Sequence, residues 1–404
     1  MKKLICVLLV SIMLLASGCT GSMFAVVLAK RSAAKAEARE AAAENAEASG
    51  VLGLTERLFP SLYAEGESLA YSPVSIYLAL AMLAETTAGE TRAEILAALG
   101  AESIDEARGM AETLMTAETF KEKGGECALA NSLWMNENIN YNKGTLNTIG
   151  DVFGADSFSG DPSDSKYSKA LREWLDRNTN GLLKDCVKDV SLDPSTVLAI
   201  ASTVYFDAEW EDEFKKDATS QGIFHSPQGE ITCEFMHKTE QLYYAEGEGF
   251  RAVGKSMKGG TVMWFILPDE GAALTTAVSG FSALDPAERC EVRFTMPKLD
   301  VTSDLDLIPA LQSLGISRCF TLGEADFSPL TEDDLTVFVD SAEHAARIKA
   351  DEKRVRAAAF TLIMPRAASA PAYIEFTLDR PFLFAVTGAT GAPLFAGAVN
   401  FPNN

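Results

Sequence analysis

DEKRVRAAAFTLIMP, residues 351–365, is the stretch on which the reading of this chain turns. A charged turn runs into three alanines (Ala357, Ala358, Ala359) and then into Phe360, Thr361, Leu362 and Ile363. The next residues, PRAASAPA (365–372), carry neither a helical nor a core pattern. With the two-residue period of a strand, Val355, Ala357, Ala359, Thr361 and Ile363 share one face, while Arg354, Arg356, Ala358 and Phe360 share the other. One face is small and apolar and the other carries two cations. Residues with strand preference rarely build exposed loops. The pattern suits a loop able to become a strand inside a sheet, and taken alone it also suits an ordinary strand followed by a surface loop.

The flanking sequence separates these readings. VFVDSAEHAARIKADEK (337–353) precedes the stretch and IEFTLDRPFLFAVTGATGAPLFAGAVNFP (374–402) follows it. Upstream, in order, stand AYSPVSIYLALAML (70–83), GETRAEILAALG (89–100), ANSLWMNENI (130–139), NTNGLLKDCV (178–187), STVYFDAEW (202–210), FILPDEG (265–271) and FTMPKLDVTSDLDLIPALQSLGI (294–316). These blocks, spread over residues 50–404, resemble the serpin family. The resemblance implies an α+β fold of three β-sheets surrounded by about eight or nine helices, with an exposed reactive-centre loop at about 352–375. No Gly/Ser or Pro linker divides residues 50–404, so one large domain is expected.

Of the 404 residues, 47% are hydrophobic, enough for a sizeable core. The formal net charge of −22 disfavours nucleic acid and anionic lipid surfaces, which attract clustered Lys and Arg. Some related proteins carry a basic helix for sulfated polysaccharide, whereas residues 109–125 here offer only Lys121 and Lys123. No cofactor is expected.

Lys2 and Lys3 precede an apolar run from Leu4 to Ala16, followed by Ser17, Gly18 and Cys19. A basic start, a short apolar core and small residues before a cleavage point mark an export signal. Gly18-Cys19 resembles the lipobox of prokaryotic lipoproteins. That assigns residues 1–18 to the signal, Cys19 to lipidation and residues 19–49, rich in Ala and Glu, to a spacer. An uncleaved anchor continuing through Met23–Leu28 is the alternative, and in either case the globular part lies outside the cytoplasm. Cys127, Cys186, Cys233, Cys290 and Cys319 show no metal-like spacing.

The three histidines, His225, His237 and His344, stand in no hydrolase or metal motif, so the chain is expected not to be an enzyme. His225 falls in a turn-like stretch, and His237 reads as a hydrogen-bonding residue beside a strand. His344 lies eight residues before Glu352, the family's spacing between a buried sheet histidine and the loop hinge. The resemblance places Ser72, Ser75, Ser202 and His344 in a shutter network, with Ser202 where relatives carry Asn. It places the hinge at Glu352, Arg354, Val355, Arg356, Ala357, Ala358, Ala359, Phe360 and Thr361. Inhibitory relatives usually have Gly at the position of Arg354 and Glu at that of Arg356.

The mechanism this implies is suicide-substrate trapping: a protease cuts the loop, and the freed half inserts as a new strand of the central sheet. Counting the family's usual seventeen residues from Glu352 sets the reactive bond at Ala368–Ser369, which suits an elastase- or subtilisin-like protease. Arg366–Ala367 is the alternative and suits a trypsin-like one. The expected partners are extracellular serine proteases, with cysteine proteases as a further class; the chain itself is expected to be monomeric, touching membrane only through its lipid. The competing function is a non-inhibitory surface lipoprotein on the same fold.

Overall fold

A computed structural model describes residues 37–43, 49–284, 287–355 and 373–403. Among the described residues, nine helices precede or punctuate the strands: α1 (37–43), α2 (Ser49–Leu62), α3 (Pro73–Thr86), α4 (Gly89–Leu99), α5 (Ile104–Ala117), α6 (Lys143–Phe153), α7 (Ser165–Asn178), α8 (Lys184–Val187) and α9 (Ile308–Ser313). The central α3 is apolar nearly all round and is accordingly buried. Ser72 starts it: its hydroxyl accepts from the Ser75 amide, and Pro73 occupies the first turn, where no amide hydrogen is needed. α4 stops at Gly100, whose φ of 72° suits a residue without Cβ.

One sheet contains β2 (Phe120–Glu122), β3 (Gly125–Asn136), β4 (Asp156–Gly160), β5 (Leu198–Glu209), β11 (Leu299–Asp306), β12 (Glu343–Ala350) and β13 (Arg354–Val355). Its order is β11-β12-β13-β5-β3-β2, with β4 beside β3. The remaining strands are β1 (Leu69–Tyr71), β6 (Thr219–Ser226), β7 (Gly229–Gly247), β8 (Phe250–Met257), β9 (Thr261–Pro268), β10 (Glu288–Pro297), β14 (Ile374–Thr377), β15 (Phe382–Thr387) and β16 (Pro393–Val399). They join in the order β1-β16-β15-β9-β8-β7-β10-β14, with β6 on β7.

β7 is long enough to serve two blocks. Its start pairs with β6 and its end with β8, while β10 runs along the middle. Counted by block, three sheets result, in the α+β arrangement expected. β15 and β16 are buried along their whole length, which explains why they read as continuous apolar runs. α7 covers β3 and β5 through a separate cluster of Trp134, Leu171 and Trp174. The Tyr167 hydroxyl secures it by donating toward the carbonyls of Met135 and Phe158.

Part of the Ala/Glu-rich stretch also meets the body. In α1, Arg39 donates to the carbonyls of Ala117 (2.8 Å) and Gly259, and its guanidinium lies 4.4 Å from the Phe120 ring. His225 falls at the end of strand β6 and not in a turn; its amide donates to the Asp379 carbonyl at 2.7 Å. The signal segment and Cys19 lie outside the described residues.

Candidate functional site

The most unusual feature of the seven-stranded sheet is the pair of residues in β13. Val355 stands opposite Ala350 of β12 on one side and Ala208 of β5 on the other, antiparallel to both. Among the described residues, β12 and β5 are joined only through this two-residue strand. Val355, Ala350 and Ala208 are 0%, 1% and 0% exposed, so the face holding Val355 points into the core, as alternation predicts. Of the expected hinge, Glu352, Arg354 and Val355 are described. Arg356, Ala357, Ala358, Ala359, Phe360 and Thr361 lie outside the described residues, as do both candidate reactive bonds, Ala368–Ser369 and Arg366–Ala367.

The turn entering β13 is held from several sides. The Asp351 carboxylate accepts from the amides of Lys353 (2.9 Å) and Arg354 (3.0 Å). The Trp210 indole donates to the Asp351 carbonyl at 2.9 Å, and the Trp210 and Phe214 amides donate to the carbonyls of Lys353 and Glu352. The buried Glu352 carboxylate meets Lys298 at 2.9 Å and accepts from the Thr219 hydroxyl at 3.0 Å. Burial draws this carboxyl upward, but Lys298 and the hydrogen bonds outweigh it and leave the group below the ordinary glutamate value. Beneath the turn, Lys255 is 1% exposed, ion-paired with Glu240, bonded to the Asp212 carbonyl, and set 4.8 Å from the Phe214 ring centroid.

Lower down, the structure brings the four shutter candidates together. The Ser72 amide donates to His344 Nε2 at 2.9 Å, and the Ser72 hydroxyl donates to the Leu394 carbonyl at 2.7 Å. The Ser75 hydroxyl donates to the Ser202 carbonyl at 3.0 Å. The Ser202 hydroxyl is buried and has no hydrogen-bond partner among the described residues. Its shorter side chain leaves a gap in polar pairing that an amide would span.

An acceptor Nε2 requires an unprotonated nitrogen, and burial pushes the His344 pKa down to about 4. The unfolded chain binds its proton near 6.5, so the stability this histidine contributes is present above pH 6.5. It is lost as the pH falls from 6.5 toward 4, by about 3 kcal/mol in all. Urea midpoints measured across that window should therefore fall, and His344→Gln should flatten the slope. An unchanged slope in the variant would show that other groups set it.

Among the described residues, the other histidines and the cysteines do not assemble a catalytic centre. His237 bridges the hydroxyls of Ser220 (3.0 Å) and Thr295 (3.1 Å) on an exposed sheet face. The five described cysteines are free, and burial raises the thiol pKa of Cys127, Cys186, Cys233 and Cys319. Sequence reasoning missed Lys255 and Glu240, and also missed the partners of Arg354: Asp207 at 3.0 Å and Glu209 at 3.2 Å.

The family model described as "Serpin (serine protease inhibitor)" matches residues 51–402. The chain is a serpin. Serpin-Z2A of Oryza sativa subsp. japonica is 28% identical over 87% of this chain and 96% of its own length. The native state of the thermophilic serpin Tengpin is 29% identical with a TM-score of 0.76, covering 87% of this chain and 93% of that one. Thyroxine-binding globulin in complex with thyroxine shares the fold at 23% identity and TM-score 0.76, over 88% of this chain and 99% of its own. Serpins are in general inhibitors of serine proteases and not enzymes, and some members are non-inhibitory.

Proposed function

We propose that this serpin inhibits serine proteases by loop cleavage followed by insertion of the freed segment between β12 and β5. The observation that carries this reading is β13: Arg354 and Val355 of the hinge already lie between these strands. Continuing the same register, one loop residue per step back along β5, brings residues 354–365 alongside Glu209–Leu198. Ala357 would then face Phe206 and Ile348, and Ala359 would face Val204 and Ala346. Thr361 would come level with Ser202 on one side and His344 on the other. Small inward residues meet the buried face, and a hydroxyl arrives where the Ser202 hydroxyl lacks a partner.

A full-length insertion uses the chain to Pro365, so a cut at Ala368–Ser369 or at Arg366–Ala367 leaves enough strand. The first bond favours elastase- or subtilisin-like proteases, the second trypsin-like ones. We further propose, from the lipobox-like Gly18-Cys19, export and lipid anchoring at Cys19. Incorporation of labelled palmitate that Cys19→Ser does not diminish would refute the anchor.

Mixing the purified chain with elastase and with trypsin tests the inhibition. The expected result is a covalent band that survives SDS, with a released peptide beginning at Ser369 or Ala367. Digestion of the loop with no stable adduct across a panel of such proteases would overturn it. That outcome would favour the second reading, a non-inhibitory surface lipoprotein. Its support is Arg354 and Arg356, which stand where inhibitory relatives usually have Gly and Glu.

A further inference from the structure

The Arg354 guanidinium sits between two carboxylates of β5. One nitrogen lies 3.0 and 3.2 Å from the Asp207 oxygens, and the other lies 3.2 Å from Glu209. Neighbouring Lys353 meets the same Glu209 oxygen at 2.8 Å. The Lys353 ammonium, with Arg354 adding to it, holds the Glu209 carboxyl below the usual glutamate range. The contacts continue past Asp207, whose second oxygen accepts from the Tyr205 hydroxyl at 3.3 Å. That hydroxyl in turn accepts from the Asn180 side-chain amide nitrogen at 2.9 Å. Asn180 has φ 50°, the one positive φ among described non-glycine residues, and stands in the turn directly after α7. Tyr205, Asp207 and Glu209 alternate onto the face of β5 that also carries Ala199 and Ala201, against which α7 packs.

We propose that Arg354 is a positioning residue that latches the loop head onto β5 and couples it, through Asp207, Tyr205 and Asn180, to the turn that ends α7. A guanidinium between two carboxylates in fork geometry binds more tightly and more directionally than a single surface pair. The latch holds residues 354–355 in the sheet. The consequence for trapping rests on the inhibitory reading above; the latch itself does not.

Hydrogen exchange of the Val355 and Arg354 amides in the intact full chain tests it. At low salt, Arg354→Gln and Asp207→Asn should each speed exchange at the hinge about tenfold, and the double variant should be little faster than either single one. Tyr205→Phe should produce a smaller acceleration, absent once Arg354 is replaced. In the wild type, raising salt to 1 M should lower the protection, though less than for a fully exposed pair because the three side chains are partly buried; Arg354→Gln should respond less. Arg354→Lys should recover part of the protection. Strictly additive effects, or exchange that ignores salt, would overturn the latch. A coupled cycle in a chain that forms no protease adduct would remove the inhibitory reading and leave the latch, whereas an adduct with an additive cycle would do the reverse.

Discussion

On the proposed inhibitory reading, Val355→Arg should convert the chain from a trap into a substrate. Val355 is 0% exposed between Ala350 and Ala208, so an arginine there must either hold the loop head out of the sheet or carry an unpaired charge into the core. An unpaired ion at such a site costs several kcal/mol, and about 4 kcal/mol corresponds to roughly a thousandfold at 1.4 kcal/mol per decade. Trapping competes with deacylation after a single cut, so slowing insertion on that scale should leave nearly every encounter to end in release of active protease. The loop itself should be cut at the wild-type rate, because both candidate bonds lie well beyond the substitution. Titrating protease activity against inhibitor gives the number of molecules consumed per protease, expected to rise by about two orders of magnitude or more. Val355→Ala, which keeps the site small and neutral, should stay near the wild type. An arginine variant that still traps stoichiometrically would mean that position 355 does not enter the sheet.

Glu240→Ala should cost about 3–5 kcal/mol of stability, the penalty for breaking a buried ion pair from one side. Lys255 is almost wholly enclosed, with its ammonium among Glu240, the Asp212 carbonyl and the rings of Phe214 and Trp210. Burial drives the Lys255 pKa down and Glu240 opposes that shift. Without Glu240, the folded chain binds the Lys255 proton more weakly than the unfolded chain does. Stability should therefore recover as pH rises toward the unfolded lysine value of 10.5, where both states lose the proton. The loss should reach the loop head too, because Trp210 and Phe214 hold the backbone of residues 351–353. Urea unfolding at pH 7 and pH 9.5 checks both points. A loss below about 1 kcal/mol, or one that deepens with pH, would show that Lys255 is not charged in the fold.

How far these features could be read from the chain depends on the distance over which each is built. The inward face of Val355 needed only local alternation, and the burial of Val355 agrees with it. Ser72, Ser75 and His344 were placed through short blocks resembling the family, and their mutual hydrogen bonds follow from how α3 packs under the sheet. The partners of Arg354 were not legible: Asp207 and Glu209 precede it by 147 and 145 residues, and nothing local pairs them. Alternation put Arg354 outward correctly, yet outward here means toward two carboxylates and the α7 face. Lys255 and Glu240 were missed because a lone charge in a strand reads as a solvent-facing residue, and only the distant Trp210, Asp212 and Phe214 close over Lys255 beside Glu240. Contact by α1 was equally hidden, since Arg39 reaches backbone carbonyls and no apolar stripe announces it.

The central claim is that cutting one loop bond releases a more stable arrangement of the same chain. A dozen residues gaining about one net ladder hydrogen bond each, at ~0.5–1.5 kcal/mol, amounts to about 10 kcal/mol. With an unfolding entropy of about 2.1 cal/mol/K per residue, that corresponds to a rise of about 13 °C in melting temperature for a domain of this size. The direct measurement is calorimetry of the chain before and after a single cut near Ala368. The account predicts a rise of at least that order, with new exchange protection along β5 and β12. A nicked chain that melts where the intact one does, with its new C-terminal end still open to carboxypeptidase, would contradict it.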